Sequence, residues 1–197
     1  TSGLLFTPLP NVTGAATLTI VYNERNLLAP SLTDLDTVAI TIREVNDLPI
    51  RVSGVLESSL LHYADDSPQP LGLANTLYLG GAHVNEAGQG LTYTVTAVPN
   101  PTLGALVRSG DPTPLNVGAQ LSITELQGLS FIAPQGTTGT GTVAITITDD
   151  GTTLGAADPR SITESFELTI TPRTSLTLTR DINRLPGNSD PSTAVNL

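Results

Sequence analysis

The amino-acid sequence predicts an all-β protein built of Greek-key β-sandwich modules in tandem. Three observations carry that expectation. One block of sequence occurs twice, apolar and polar residues alternate with period two, and turn residues recur at sandwich spacing. In the repeated block, Leu4-Leu5-Phe6-Thr7-Pro8 leads through Asn11, Gly14 and Thr17 into Leu18, Ile20 and Tyr22. Its counterpart, Leu129-Ser130-Phe131-Ile132-Ala133-Pro134, leads through Gly136, Gly139 and Thr142 into Val143, Ile145 and Ile147. Phe6 and Phe131 are 125 residues apart, as are Gly14 and Gly139 (131 − 6; 139 − 14). Val38-Ala39-Ile40-Thr41-Ile42 then matches Phe166-Glu167-Leu168-Thr169-Ile170 at a separation of 128 (166 − 38). The second copy therefore carries three extra residues in the loop between its two matched strands.

The elements follow in chain order. Leu18, Ile20 and Tyr22 alternate with Thr17, Thr19 and Val21; Val38, Ile40 and Ile42 alternate with Thr37, Ala39, Thr41 and Arg43. Further strands are expected over 50–56 and 76–79, and Leu91, Tyr93 and Val95 alternate with Thr92, Thr94 and Thr96. Strands over 104–108, 119–123 and 129–132 precede the repeated pair 142–147 and 166–170, and Ser175-Leu176-Thr177-Leu178-Thr179 reads as one more. Half-buried strands have this pattern, with β-branched residues on the open face and Tyr22 and Tyr93 on the apolar one. Ser122-Ile123-Thr124-Glu125 is a capping-box pattern that predicts a single helical turn before Gly128. Turns are marked by Pro99-Asn100-Pro101, Gly110-Asp111-Pro112, Pro134-Gln135-Gly136 and Asp150-Gly151. About seven short antiparallel strands are expected in a complete unit.

The repeat sets the boundaries. Residues 1–48 hold the second half of a module, 49–172 a whole one, and 173–197 an extra strand and tail that begin a further module. Three strands cannot bury a sandwich core alone. The half-module is therefore expected to be completed by neighbouring residues of a longer polypeptide or by strands of an identical subunit. The chain opens on Thr1 and is expected to be a mature or internal piece.

Composition excludes several functions. Net charge is −10 and all 8 cations are Arg, with no basic stripe for phosphate neutralisation, so nucleic acid is not an expected partner. There is no Cys, which removes disulfides, thiolate metal sites and cysteine nucleophiles. No apolar run is long enough to predict membrane insertion. His62 and His83 lack zinc-ligand spacing, and no Gly-x-Ser-x-Gly elbow is present. Gly136-Thr137-Thr138-Gly139-Thr140-Gly141 precedes a strand, not the helix that a phosphate loop requires. With no Trp, and with Tyr22, Tyr63, Tyr78 and Tyr93 on separate segments, an aromatic sugar platform is not indicated. Asn11-Val12-Thr13 is a glycosylation sequon or a polar turn. The chain is not expected to be an enzyme.

Ile42-Arg43-Glu44-Val45-Asn46-Asp47-Leu48-Pro49 resembles the "VNDAP" junction that closes cadherin-like repeats of large bacterial adhesins and surface-layer proteins. Leu91-Thr92-Tyr93-Thr94-Val95 followed by Pro101-Thr102-Leu103-Gly104-Ala105-Leu106, and the stretch from Phe131 to Asp149-Asp150-Gly151, are similar to other parts of the same repeat. The resemblance covers nearly all of 1–172. It implies immunoglobulin-like, cadherin-like sandwiches in a secreted or cell-surface protein, with Ca²⁺ at the module junctions. The implied role is a spacer or adhesive module. Its partners would be neighbouring modules or identical subunits, with a cell-surface protein or glycan as target. A self-assembling filament or surface-layer subunit and a carbohydrate-binding accessory module are the alternatives. Three places depart from the family pattern. Asn85-Glu86-Ala87-Gly88-Gln89-Gly90 holds one carboxylate where several Asp are usual. Asn23-Glu24-Arg25 replaces the Asp pair of the other copy. Thr171-Pro172-Arg173 lacks an Asn-Asp-x-Pro, which Asp181-Ile182-Asn183-Arg184-Leu185-Pro186 echoes only later.

Calcium takes six to eight hard oxygens at ~2.3–2.6 Å. Glu44, Asn46 and Asp47 offer three side-chain donors within four residues, and Asp149, Asp150 and Asp158 flank the other end of a module. Asp34 and Asp36 are expected in an upstream loop. Asn-Asp-x-Pro is also ordinary turn chemistry, with Asx hydrogen bonds and a Pro that fixes φ. Both readings stay open at this point.

Overall fold

The computed structural model describes residues 3–24 and 32–173 and is mostly β, as expected. It begins with a hairpin of β1 (Gly14–Asn23) and β2 (Thr33–Ile42). The chain continues as β3 (Ile50–Ser53), β4 (Ser59–Ala64), β5 (Pro68–Pro70), β6 (Leu77–Leu79), β7 (Leu91–Ala97), β8 (Ala105–Val107) and β9 (Gln120–Leu121). After α1 (Ile123–Gln127) come β10 (Ser130–Ile132), β11 (Gly139–Asp149), β12 (Thr152–Thr153), β13 (Ala156–Ala157) and β14 (Ser161–Pro172). A five-stranded sheet in the order β4-β14-β11-β7-β9, a three-stranded sheet β5-β10-β8 and the pair β3-β6 surround one core. Phe131 and Leu106 fill it from one side, Val95, Val143, Phe166 and Leu168 from the other. The expected strand and tail in 174–197 lie outside the described residues.

The two repeated blocks are the two long hairpins, and their ladders share one register. Gly14 pairs with Ile42 and Asn23 with Thr33; Gly139 pairs with Ile170 and Thr148 with Ser161. Offsets of 125 on the first strand and 128 on the second map one pairing onto the other. The three extra residues fall in the connection, where β12 and β13 form a small hairpin.

Several expectations need correction. Residues 49–172 hold twelve strands, not seven, because the outer strands are broken into pieces of two to four residues. The pairing is not wholly antiparallel, since β4 runs parallel to β14. β4 escapes a period-two reading because Leu60 and Leu61 are adjacent, Leu61 facing solvent. β5 carries Pro68 and Pro70, tolerated because it is an edge strand. Asp34 and Asp36 lie within β2 opposite Tyr22 and Ile20, not in a loop. Tyr93 is buried but Tyr22 is 68% exposed, because no second sheet covers its hairpin among the described residues. The helical turn is as expected: the Ser122 hydroxyl accepts from the Glu125 amide to cap α1, and the Glu125 carboxylate accepts in return from the Ser122 backbone N–H.

His62, on β4, is buried against Phe131 in an edge-on contact at 6.1 Å. Its Nε2–H donates to the Gln69 carbonyl (3.3 Å), while Nδ1 is buried without a partner. Burial holds the ring below its ordinary value of 6.5. The unfolded chain therefore binds a proton near pH 6.5 that the folded chain refuses. Stability from this group is full above that pH and falls as pH drops through 6.5. Melting temperature should decline between pH 7.5 and 5 in wild type, and the slope should flatten in His62→Leu. An unchanged slope would contradict this account.

Candidate functional site

The linker that leaves β2 is bound into the end of the sandwich formed by the loops around residues 80–90 and 149–160. Glu44 accepts from the Thr152 hydroxyl at Oε1 (2.9 Å) and from the Leu154 amide at its carbonyl (3.3 Å). Asn46 is 4% exposed and is the centre of the arrangement. Its backbone N–H donates to Thr153 Oγ1 (2.8 Å), and its Nδ2 donates to Asp149 Oδ1 (2.7 Å) and the Asp158 carbonyl (2.8 Å). Its Oδ1 accepts from Gln89 Nε2 (2.7 Å). Next in sequence, the Asp47 amide donates to Glu86 Oε1 (2.9 Å). Turn chemistry therefore describes only part of the segment: the Asn46 side chain bonds to residues over a hundred positions away.

Asp149 closes β11 as a buried acceptor. Its Oδ1 takes the Gly151 amide (2.9 Å) and the Arg160 amide (3.1 Å) besides Asn46. Asp150 faces the neighbouring loop, accepting from the Gly90 amide (2.8 Å) while its own N–H donates to the Gly90 carbonyl (3.1 Å). Asp158 accepts from Thr153 Oγ1 (2.6 Å) and Arg160 (3.0 Å). The Thr153 hydroxyl, then Arg160, hold its carboxyl below the usual range. Glycine permits the closeness: a Cβ at Gly151 would overlap the Asn46 amide, and one at Gly81 the Glu86 carboxylate.

All five residues expected from the sequence as metal ligands, Glu44, Asn46, Asp47, Asp149 and Asp150, meet at this end of the molecule. Asp34 and Asp36 do not join them. Glu86 and Gln89 belong to the site but were not among the expected ligands; the signal for Glu86 was its place as the one carboxylate in residues 85–90. Glu86 is 3% exposed, and its Oε2, like Gln89 Oε1 and Asp149 Oδ2, is buried without a hydrogen-bond partner. Glu86 and Gln89 line a cavity of about 160 Å³ together with Glu44, Asn85, Asp150, Gly151 and Thr152. A lining of oxygen-bearing side chains, two of them with orphaned buried oxygens, fits a hard cation. Among the described residues no three His, Cys, Asp or Glu side chains are gathered closely enough to hold a metal as they stand. The donors are mixed, with amide and hydroxyl oxygens between the carboxylates.

A second cavity of about 310 Å³ lies between the hairpin and the sandwich, lined in part by Asn11, Arg43, Asp47, His83 and Glu86. The Asn11 amide contacts the His83 ring across it. In comparisons with known proteins, the chain matches no family model and no curated protein.

Proposed function

We propose that the chain is a structural and adhesive repeat segment of a large extracellular surface protein. In this reading, cadherin-like sandwiches in tandem act as a spacer or interaction module, with a mechanical and not a catalytic role. The observation that carries it is the Asn46 side chain, whose three hydrogen bonds tie the linker after one repeat hairpin into the end loops of the next unit. A spacer needs its units to hold a set direction, and a linker buried by side-chain bonds supplies that. Neighbouring units or identical subunits are its immediate partners, with a cell-surface protein or glycan as target.

Calcium is part of the proposal. Glu44, Glu86 and Asp150 would supply charge around the 160 Å³ cavity, with Gln89 and Asn85 amide oxygens beside them. Asp47 and Asp149 border the site through the bonds described. The ion would neutralise the gathered carboxylates and join the linker to both loops. For a dissociation constant of about 10⁻⁴ M, typical of extracellular sites, about 10 mM calcium should add ~2.7 kcal/mol, a rise of roughly 5–10 °C in melting temperature. Glu86→Gln should lose most of that rise. No shift in wild type would remove the metal from the proposal while leaving the hydrogen-bonded junction in place.

The filament alternative is favoured by one observation, the exposed apolar face of β1–β2. Nothing comparable favours the carbohydrate module, since Tyr78 and Tyr93 are buried and Tyr22 and Tyr63 stand on different sheets.

A further inference from the structure

The complete unit shows what the β1–β2 hairpin lacks. β11 is flanked by antiparallel β7 and β14 by parallel β4, whereas β1 and β2 pair only with each other among the described residues. Phe131 is 1% exposed and its counterpart Phe6 49%; Phe166 is 3% exposed and its counterpart Val38 48%. A cavity of about 340 Å³, lined by Leu4, Leu5, Phe6, Leu18, Val38 and Ile40 among others, opens where the complete unit has core.

Charge identifies the occupant more closely. Asp36 stands 128 residues before Glu164 (164 − 36) and so holds the same place on its strand, two residues before Val38 and on the same face. In the complete unit Glu164 is paired with Arg51, on the facing strand β3, at 3.0 Å. The buried Tyr78 hydroxyl on neighbouring β6 is pushed up to about 12, first by burial and then by the Glu164 carboxylate. An acid at this position is therefore accommodated because the opposite layer brings a cation. Among the described residues Asp36 has no ion-pair partner.

We propose that β1–β2 is the docking surface for the first half of another unit of the same repeat, whose facing strand presents a basic residue to Asp36. The register follows from the offsets. β4 lies beside Glu167 to Pro172, which places a parallel strand along Ala39 to Glu44, with Ala39 to Ile42 in β2. β7 lies beside Ala144 to Asp149, which places an antiparallel strand along Thr19 to Glu24, with Thr19 to Asn23 in β1. The two added strands would make the hairpin the centre of a four-stranded layer and bury Phe6 as Phe131 is buried. Exposed hairpin edges and apolar faces of this size are otherwise association hazards.

The test supplies such a half-unit from the chain itself. Residues 46–128 are fused ahead of Leu4 in the full chain, so that the seam reproduces the Gly128–Leu129 junction and Arg51 is brought opposite Asp36. Hydrogen exchange is compared between the fusion and the unfused chain. Amides of Thr19–Asn23 and Ala39–Ile42 should slow by at least ~100-fold in the fusion. Asp36→Asn should return about tenfold of that, with no effect on exchange in the unfused chain. Equal exchange in both proteins would overturn the proposal, whether or not the fused residues are themselves protected. So would a hairpin already protected in the unfused chain with the mass of a dimer, which would make a second copy the occupant. The amides followed, in β1 and β2, lie outside the lining of the 160 Å³ junction cavity, so failure here leaves the spacer reading intact.

Discussion

Phe131→Ala is expected to remove a large part of the stability of the sandwich. The ring is in the centre of the core, with His62 edge-on and the Gly104 backbone directly against it. Gly104 has φ +138°, and a Cβ there would stand 2.9 Å from the ring. A backbone packed that closely cannot follow a shrinking side chain without pulling on β8, which starts at the next residue, so the cavity would persist. Aromatic deletions of this kind cost ~3–5 kcal/mol, against a total of about 5–15 for a domain of ordinary stability. Urea unfolding should show the midpoint fall with little change in slope. Phe6→Ala, at the equivalent place in the segment ahead of the β1–β2 hairpin, which has no opposing layer among the described residues, should cost far less. Comparable losses at the two positions would contradict the assignment of Phe131 and Phe6 to covered and uncovered copies of one repeat position.

The second large effect is expected at Asn46. Asn46→Ala removes one acceptor and two donors from a buried site, leaving Gln89 Nε2 and the Asp158 carbonyl without their partners. Asp149 Oδ1 keeps the Gly151 and Arg160 amides, so it is weakened and not orphaned. Stranded buried polar groups cost roughly 1–3 kcal/mol each, which gives about 2–4 kcal/mol for the pair once partial relaxation is allowed. Asp47→Ala should be much milder without calcium, because the described bond there uses the Asp47 backbone and not its carboxylate. A neutral Asn46→Ala in thermal melting would mean that the linker is not held as described.

The long paired strands were legible because each carries its apolar residues at a strict spacing of two. The repeat added more: matching Phe6 to Phe131 and Ile42 to Ile170 predicted a shared hairpin and the location of the three extra residues. Short strands were legible in part: β3, β6, β8, β9 and β10 lie within the strands expected over 50–56, 76–79, 104–108, 119–123 and 129–132. β4, β5, β12 and β13 were not, since β12 and β13 are too short to show a period and β5 consists of Pro-Gln-Pro held by β10. The parallel partner β4 is set by tertiary packing against β14, which local sequence does not encode.

The candidate site was legible through Asn46, Asp47 and the Asp149-Asp150-Gly151 turn. Their roles were not. Asn46 places its amide between Gln89 and Asp149, and that arrangement depends on Gly151 and Gly81 leaving room for side chains from distant loops. Glu86 sits in a segment whose surroundings are Asn, Gly and Gln, so its burial could be found only once the fold had brought that loop against the linker.

The most direct test of the junction is hydrogen exchange at the Asn46 and Asp47 amides, followed through a calcium titration. Both amides are held by side chains of the sandwich, Thr153 and Glu86. The account predicts exchange well below the free-peptide rate without calcium, and a further slowing that saturates as calcium is added. Free-peptide exchange at both amides, unchanged by calcium, would contradict a linker held by Thr153 and Glu86 as described.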